Sequence, residues 1–183
     1  KSLNALNNPL RLHKLCESAN PISLRGLAQN ILAPVSFEND GSQRLLIKAR
    51  ARAGGHAVLE TQGERFLHSS KYFQPLLSGR SVSALCLTDG RDVKIVGWSE
   101  HFKLQTSGHW PFRHSAAVKI PPVLGQAVLP EILNIAAREL GLYGLFGCDF
   151  IETASGQLQL IDLNPRLTAT AQLHIALGEI IDL

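Results

Sequence analysis

An α+β fold built on antiparallel sheet is predicted by three features of this 183-residue chain. Two strand pairs are joined by turn-forming dipeptides, Asp89-Gly90 and Ser155-Gly156. Helical periodicity lies outside these pairs, not between parallel strands. Hairpins demand antiparallel pairing, which argues against a doubly wound parallel sheet.

The elements follow in order. Residues 8–19 read as a helix, with Asn8 as cap, Pro9 in the first turn, and Leu12, Leu15 and Cys16 on one face. Asn20-Pro21 stops it, and a shorter helix is expected at 23–32 before Pro34. Residues 44–49 and 56–60 read as strands around a basic, glycine-containing loop. Residues 71–78 read as extended, with Pro75 confining them to a sheet edge. A hairpin is expected at 80–88 and 92–98, with Val82, Ala84 and Cys86 opposite Val93, Ile95 and Gly97. Residues 100–121 show no clear period and read as a long loop containing His109, Arg113 and His114. Pro130, Glu131 and Gly141 bound a helix at 130–140. A second hairpin is expected at 145–153 and 157–163, and a last helix from about 168.

The composition bounds the function. Hydrophobic residues make up 45% and charged residues 18%, enough for a packed core and too apolar for a disordered chain. The net charge of +3 is mild and scattered, which suits anionic small molecules and argues against nucleic acid. No stretch has the length and apolarity of a membrane span, and no signal peptide is visible. The three cysteines, Cys16, Cys86 and Cys148, lie in apolar runs without a CxxC, as buried thiols of a reducing, cytoplasmic compartment would. The chain opens on Lys1 and has no Met, so it is read as a segment whose N-terminal substrate domain is missing.

The second hairpin carries the sharpest chemical signal. If Ser155 and Gly156 are its two turn residues, partners sum to 311 and Asp149 faces Asp162, with Asn164 two residues on along the same face. Opposed like charges repel, and two unpaired carboxylates amid Phe150, Leu160 and Leu163 are costly. A divalent cation removes that cost. Three oxygen donors suit Mg²⁺, which completes its shell with water and phosphate. Arg166 stands close enough to bind phosphate oxygens, or to pair with one aspartate. Lys48 at a strand end, followed by Gly54-Gly55, could form a second phosphate-binding element, although taken alone a plain β-turn is the default reading of those glycines. The chain lacks both GxxxxGK[ST] and GxGxxG, so neither a Walker-type NTPase nor a dinucleotide-binding fold is supported.

Four blocks, LLIKARARAGGHAV (45–58), FQPLLSGRSVSA (73–84), GLFGCDFIE (144–152) and LQLIDLNPR (158–166), together resemble the ATP-grasp superfamily, in its carboligase-like branch related to biotin carboxylase. The resemblance implies two lobes, residues 1–75 and 76–183, holding ATP between them. It implies Lys48 and Arg166 as catalytic groups. The nucleotide would be held by Lys14, Lys48, Gly54, Gly55 and a hinge from Gln74 to Leu77, in which Pro75, Leu76 and Leu77 lie beside adenine. Asp149, Asp162 and Asn164 would hold Mg²⁺, with Mn²⁺ as a substitute. The implied reaction joins a carboxylate to an amine through an acyl phosphate, and homo-oligomers are compatible with it. The run NPRLTAT resembles amine–glutamate ligases of one-carbon cofactor synthesis. Two departures stand out. Asp162 replaces the more usual Glu, and Pro75 lies where an acid is common, which leaves a non-catalytic nucleotide- and Mg²⁺-binding module as the alternative.

Overall fold

The computed structural model describes residues 44–49, 58–61, 71–103, 111, 112 and 114–175. The helices expected at 8–19 and 23–32 lie outside these residues, as do Cys16, Lys14, Gly54 and Gly55.

Two antiparallel sheets organise the described chain. The smaller has the order β2-β1-β3, from β1 (Leu45–Ala49), β2 (Val58–Glu60) and β3 (Lys71–Pro75). β3 is an edge strand that ends at Pro75, as the missing proline N–H requires. Alternation sends Leu46, Lys48 and Gln74 to one face and Leu45, Ile47 and Phe73 to the other, where they form a small buried cluster.

The larger sheet has the order β6-β5-β4-β7-β8. Its strands are β4 (Arg80–Thr88), β5 (Val93–Lys103), β6 (His114–Ile120), β7 (Gly144–Glu152) and β8 (Leu158–Asn164). One face carries Val82, Ala84, Cys86, Trp98, Phe146, Cys148 and Phe150 against the helix α1 (Leu129–Leu140). The buried positions of α1, namely Leu129, Ile132, Leu133, Ala136, Ala137 and Leu140, fall at helical spacing on a single stripe. Gly141 ends α1 at φ +64°, where its N–H reaches Arg138 O and the Leu142 N–H reaches Ala137 O, closing the last turn. Trp98 Nε1 donates to Gln126 Oε1 at 3.0 Å, tying the short 3₁₀ turn Leu124–Val128 to the sheet. Cys86 and Cys148 are free and fully buried in this core.

Three expectations are corrected. The stretch 100–121 is not one loop: β5 runs to Lys103 and β6 covers His114–Ile120. An edge strand of sequence HSAAVKI buries too little to show the alternation that marks a strand. The first hairpin closes through residues 89–92, because Asp89 Oδ1 accepts the N–H groups of both Arg91 and Asp92. Gly97 does not share the core face with Ile95. A bulge between Leu85 and Cys86 in the pairing pushes Gly97 to the opposite face and Trp98 into the core.

That opposite face positions the site. The helix α2 (Ala171–Ile175) lies over it, and the His174 ring occupies the space a Cβ on Gly97 would need. His174 is buried and its Nε2 lies 3.1 Å from Ser99 Oγ. The chain after β8 folds back similarly over Gly147, where a Cβ would come within 2.4 Å of Thr168 Cγ2. Gly147→Ala is therefore expected to lose about 1–3 kcal/mol of stability by overpacking. Adding Thr168→Ser, which removes the clashing methyl, should restore most of it, as read by urea unfolding.

Candidate active site

A cleft of about 590 Å³ lies between the two sheets. Leu46, Lys48, Gln74 and Val58 line it from the smaller sheet, and Asp149, Ile161, Asp162 and Asn164 line it from the larger. Pro75, Leu76 and Leu77 border it where the chain passes from one sheet to the other. The Leu76 N–H is already taken by Arg44 O at 2.9 Å.

Asp149 stands directly opposite Asp162, but not for the reason the turn suggests. The hairpin closes through three residues, 154–156, because Thr153 and Gln157 already pair and Gly156 takes φ +76°. The first pairs, Glu152 with Leu158, Ile151 with Gln159 and Phe150 with Leu160, are thus offset by one from the two-residue expectation. A bulge at Ile161 then restores the offset, and Asp149 meets Asp162. The bulge has two further effects. It lets consecutive side chains, Ile161 and Asp162, line the same cleft. It also takes the Ile161 carbonyl out of the ladder, where it accepts from Lys48 Nζ at 3.2 Å and from Gln74 Nε2 at 3.0 Å.

The acids are held unequally. Asn164 Nδ2 donates to Asp149 Oδ2 at 3.0 Å, and Asp162 Oδ1 accepts the Leu163 N–H at 3.0 Å. Burial, then repulsion from Asp162, pushes the Asp149 carboxyl up to about 7, against the pull of Lys48, the Asn164 hydrogen bond and Arg166. For Lys48, burial alone works to lower the ammonium. Attraction to Asp162, then Tyr72 and Asp149, outweighs it and leaves the group raised. The Lys48 ammonium lies 5.8 Å from the Tyr72 ring centroid.

The donor set fits a hard divalent cation: two carboxylates and one amide oxygen on adjacent strands, with one carboxylate reluctant to ionise unaided. Among the described residues no three His, Cys, Asp or Glu come together as a metal-binding group. Since Asp149 titrates near 7 in the fold and near 3.9 in an unfolded chain, the folded protein holds the extra proton between those values. Stability of the metal-free protein should therefore fall as pH rises from about 4 to about 7. A pH series of thermal melts without divalent ions, repeated with saturating Mg-ATP, should show the slope weakening when the ion is present.

Of the residues singled out from sequence, Lys48, Gln74, Pro75, Leu76, Leu77, Asp149, Asp162, Asn164 and Arg166 all line this cleft. Arg166 is exposed at its mouth and donates from Nη1 to Leu167 O at 3.1 Å. His109 and Arg113 lie outside the described residues, and His114 begins β6. Two features had no sequence signal. Ser83 is the cross-strand neighbour of Asp149, and its Oγ lies 2.8 Å from Nε2 of His101, which itself lines the cleft. The Gln74 side chain, rather than its backbone alone, is part of the site.

The chain matches the family model of the ATP-grasp domain over residues 21–170. It is 24% identical over 141 residues to a phosphoribosylamine–glycine ligase from Leifsonia xyli subsp. xyli (strain CTCB07), covering 66% of this chain and 34% of that protein. The chain thus spans about a third of the length of this curated relative. In structure it resembles biotin carboxylase from Campylobacter jejuni with a TM-score of 0.65 at 15% identity, over 94% of this chain and 43% of that one. It also resembles the biotin carboxylase domain of 2-oxoglutarate carboxylase from Hydrogenobacter thermophilus, solved with MgADP and bicarbonate. There the TM-score is 0.60 at 16% identity, over 89% of this chain and 40% of that one. The matched residues run from the segment before β1 to the loop over Gly147 and so take in both walls of the cleft: the chain belongs to the ATP-grasp family.

Proposed function

We propose that this chain is the nucleotide-binding part of an ATP-dependent ligase that joins a carboxylate to an amine. The smaller sheet, within residues 1–75, and the larger sheet, within 76–183, act as two lobes with Mg-ATP between them. The observation that carries this reading is the opposed pair Asp149 and Asp162, with Asn164 beside it, facing Lys48 across one cleft. Its support from relatives is that a curated protein it matches is a phosphoribosylamine–glycine ligase, and that a structural neighbour was solved with MgADP.

In this reading the substrate carboxylate attacks the γ-phosphorus of ATP, ADP leaves, and an amine displaces phosphate from the acyl phosphate. Phosphoryl transfer asks the protein mainly for position and charge. Asp149, Asp162 and Asn164 would hold Mg²⁺, which supplies charge neutralisation at the phosphate oxygens. Lys48 binds the phosphates from the opposite wall, with Arg166 at the mouth. Pro75 to Leu77 borders the base, and Gly54, Gly55 and Lys14 are assigned to the phosphates by resemblance. The substrates are small molecules, and the protein works in the cytoplasm, in small-molecule cofactor synthesis.

The test is ADP release on mixing the protein with Mg-ATP and panels of carboxylates with amines, including glycine and glutamate. Release that depends on both partners and disappears in Asp162→Ala supports a ligase. Tight Mg-ATP binding without release under any pair points instead to a non-catalytic nucleotide module. Absence of Mg-ATP binding would overturn both.

A further inference from the structure

Gln74 is 2% exposed, and both ends of its amide are engaged. Its Oε1 accepts from Lys48 Nζ at 3.2 Å, and its Nε2 donates to Ile161 O at 3.0 Å. The same carbonyl also accepts from Lys48, so ammonium, amide and carbonyl form a closed triangle. Two corners belong to the smaller sheet. The third exists only because the bulge in β8 removes Ile161 from the ladder. Position 74 stands on the hinge, where a side chain could be spent on the nucleobase. Here the amide is instead spent on the lysine that faces the acids.

We infer that Gln74 is a positioning residue, which sets the Lys48 ammonium for the polyphosphate of the nucleotide and does not read the base. This deepens the ligase reading and rests on its nucleotide site. An amide is the chemically required group. Its oxygen must face an ammonium while its nitrogen faces a carbonyl, and only a side chain with both a donor and an acceptor does this. A carboxylate in its place would turn lone pairs toward the Ile161 carbonyl and draw the ammonium away from the phosphate. A leucine would leave the ammonium to the Ile161 carbonyl and the Tyr72 side chain, without the amide oxygen that narrows its range of positions.

The experiment compares binding of Mg-ATP and of base-free Mg-tripolyphosphate to wild type, Gln74→Leu, Lys48→Met and the double variant by calorimetry, with melting curves to verify folding. If Gln74 acts through Lys48, Gln74→Leu weakens both probes by a similar factor, about tenfold. In the Lys48→Met background the same change costs less than about twofold, since coupled residues are non-additive. Gln74→Glu keeps a polar side chain should leucine fail to fold, and is expected to weaken both probes alike. A loss confined to ATP, with tripolyphosphate binding intact, would make Gln74 a base reader and overturn the inference. Additive losses in the double variant would overturn it too. If wild type bound neither probe, the nucleotide site itself would be refuted, a failure distinct from the other two.

Discussion

Replacing Asp149 with asparagine should abolish turnover while making the metal-free protein more stable. Asp149 is half-buried, faces Asp162 directly, and holds its proton up to about 7. Without a cation the fold carries a carboxyl that would rather be neutral. Asparagine is neutral at every pH, fits the same space, and still accepts the Asn164 Nδ2 hydrogen bond. Melting temperature without divalent ions at pH 8 should therefore rise, on the order of 3 °C, and the pH slope described above should flatten. The loss is on the functional side. An amide oxygen is a weak substitute for an anionic ligand, so ATP turnover should drop by roughly 1000-fold. Mg-ATP should also lose its power to raise the melting temperature. Unchanged apo stability would mean the two acids are solvated independently. Unchanged turnover would remove Asp149 from the metal site.

Lys48→Met is expected to weaken Mg-ATP binding by about 30–100-fold, the worth of one or two charge-assisted hydrogen bonds. Methionine conserves length and apolar stem, so the smaller sheet should fold as before. Lys48 belongs to the cleft face of β1, away from the cluster of Leu45, Ile47 and Phe73. Because the ammonium also partly neutralises the two acids, the same substitution should tighten Mg²⁺ binding in the absence of nucleotide. Calorimetry with Mg²⁺ alone reads this directly. Weaker Mg²⁺ binding in Lys48→Met would show that the lysine does not shield the pair.

The two predictions depend on parts of the molecule that differ in how readable they were. The core face of α1 follows from local periodicity, and its end at Gly141 follows from glycine's tolerance of positive φ. The opposition of Asp149 and Asp162 was readable from the hairpin alone, although two offsets had to cancel: a three-residue turn and a bulge. No residue type marks a bulge at Ile161, since the kink answers to packing on both sides of the sheet. The Gln74 contact was invisible for the same reason. It joins positions 87 residues apart through a backbone oxygen that a regular strand would have kept for itself. The pairing of Ser83 with His101 is likewise a product of sheet register, set only once β4, β5 and β7 are assembled. Strand β6 was missed because an edge strand of alanine and serine carries no burial signal.

The bend that puts Ile161 and Asp162 side by side is held from the far wall by an amide and an ammonium. Three polar groups thus tie a three-stranded sheet to a five-stranded one, so a substitution that straightened β8 at Ile161 would also loosen Gln74 and Lys48 on the other sheet.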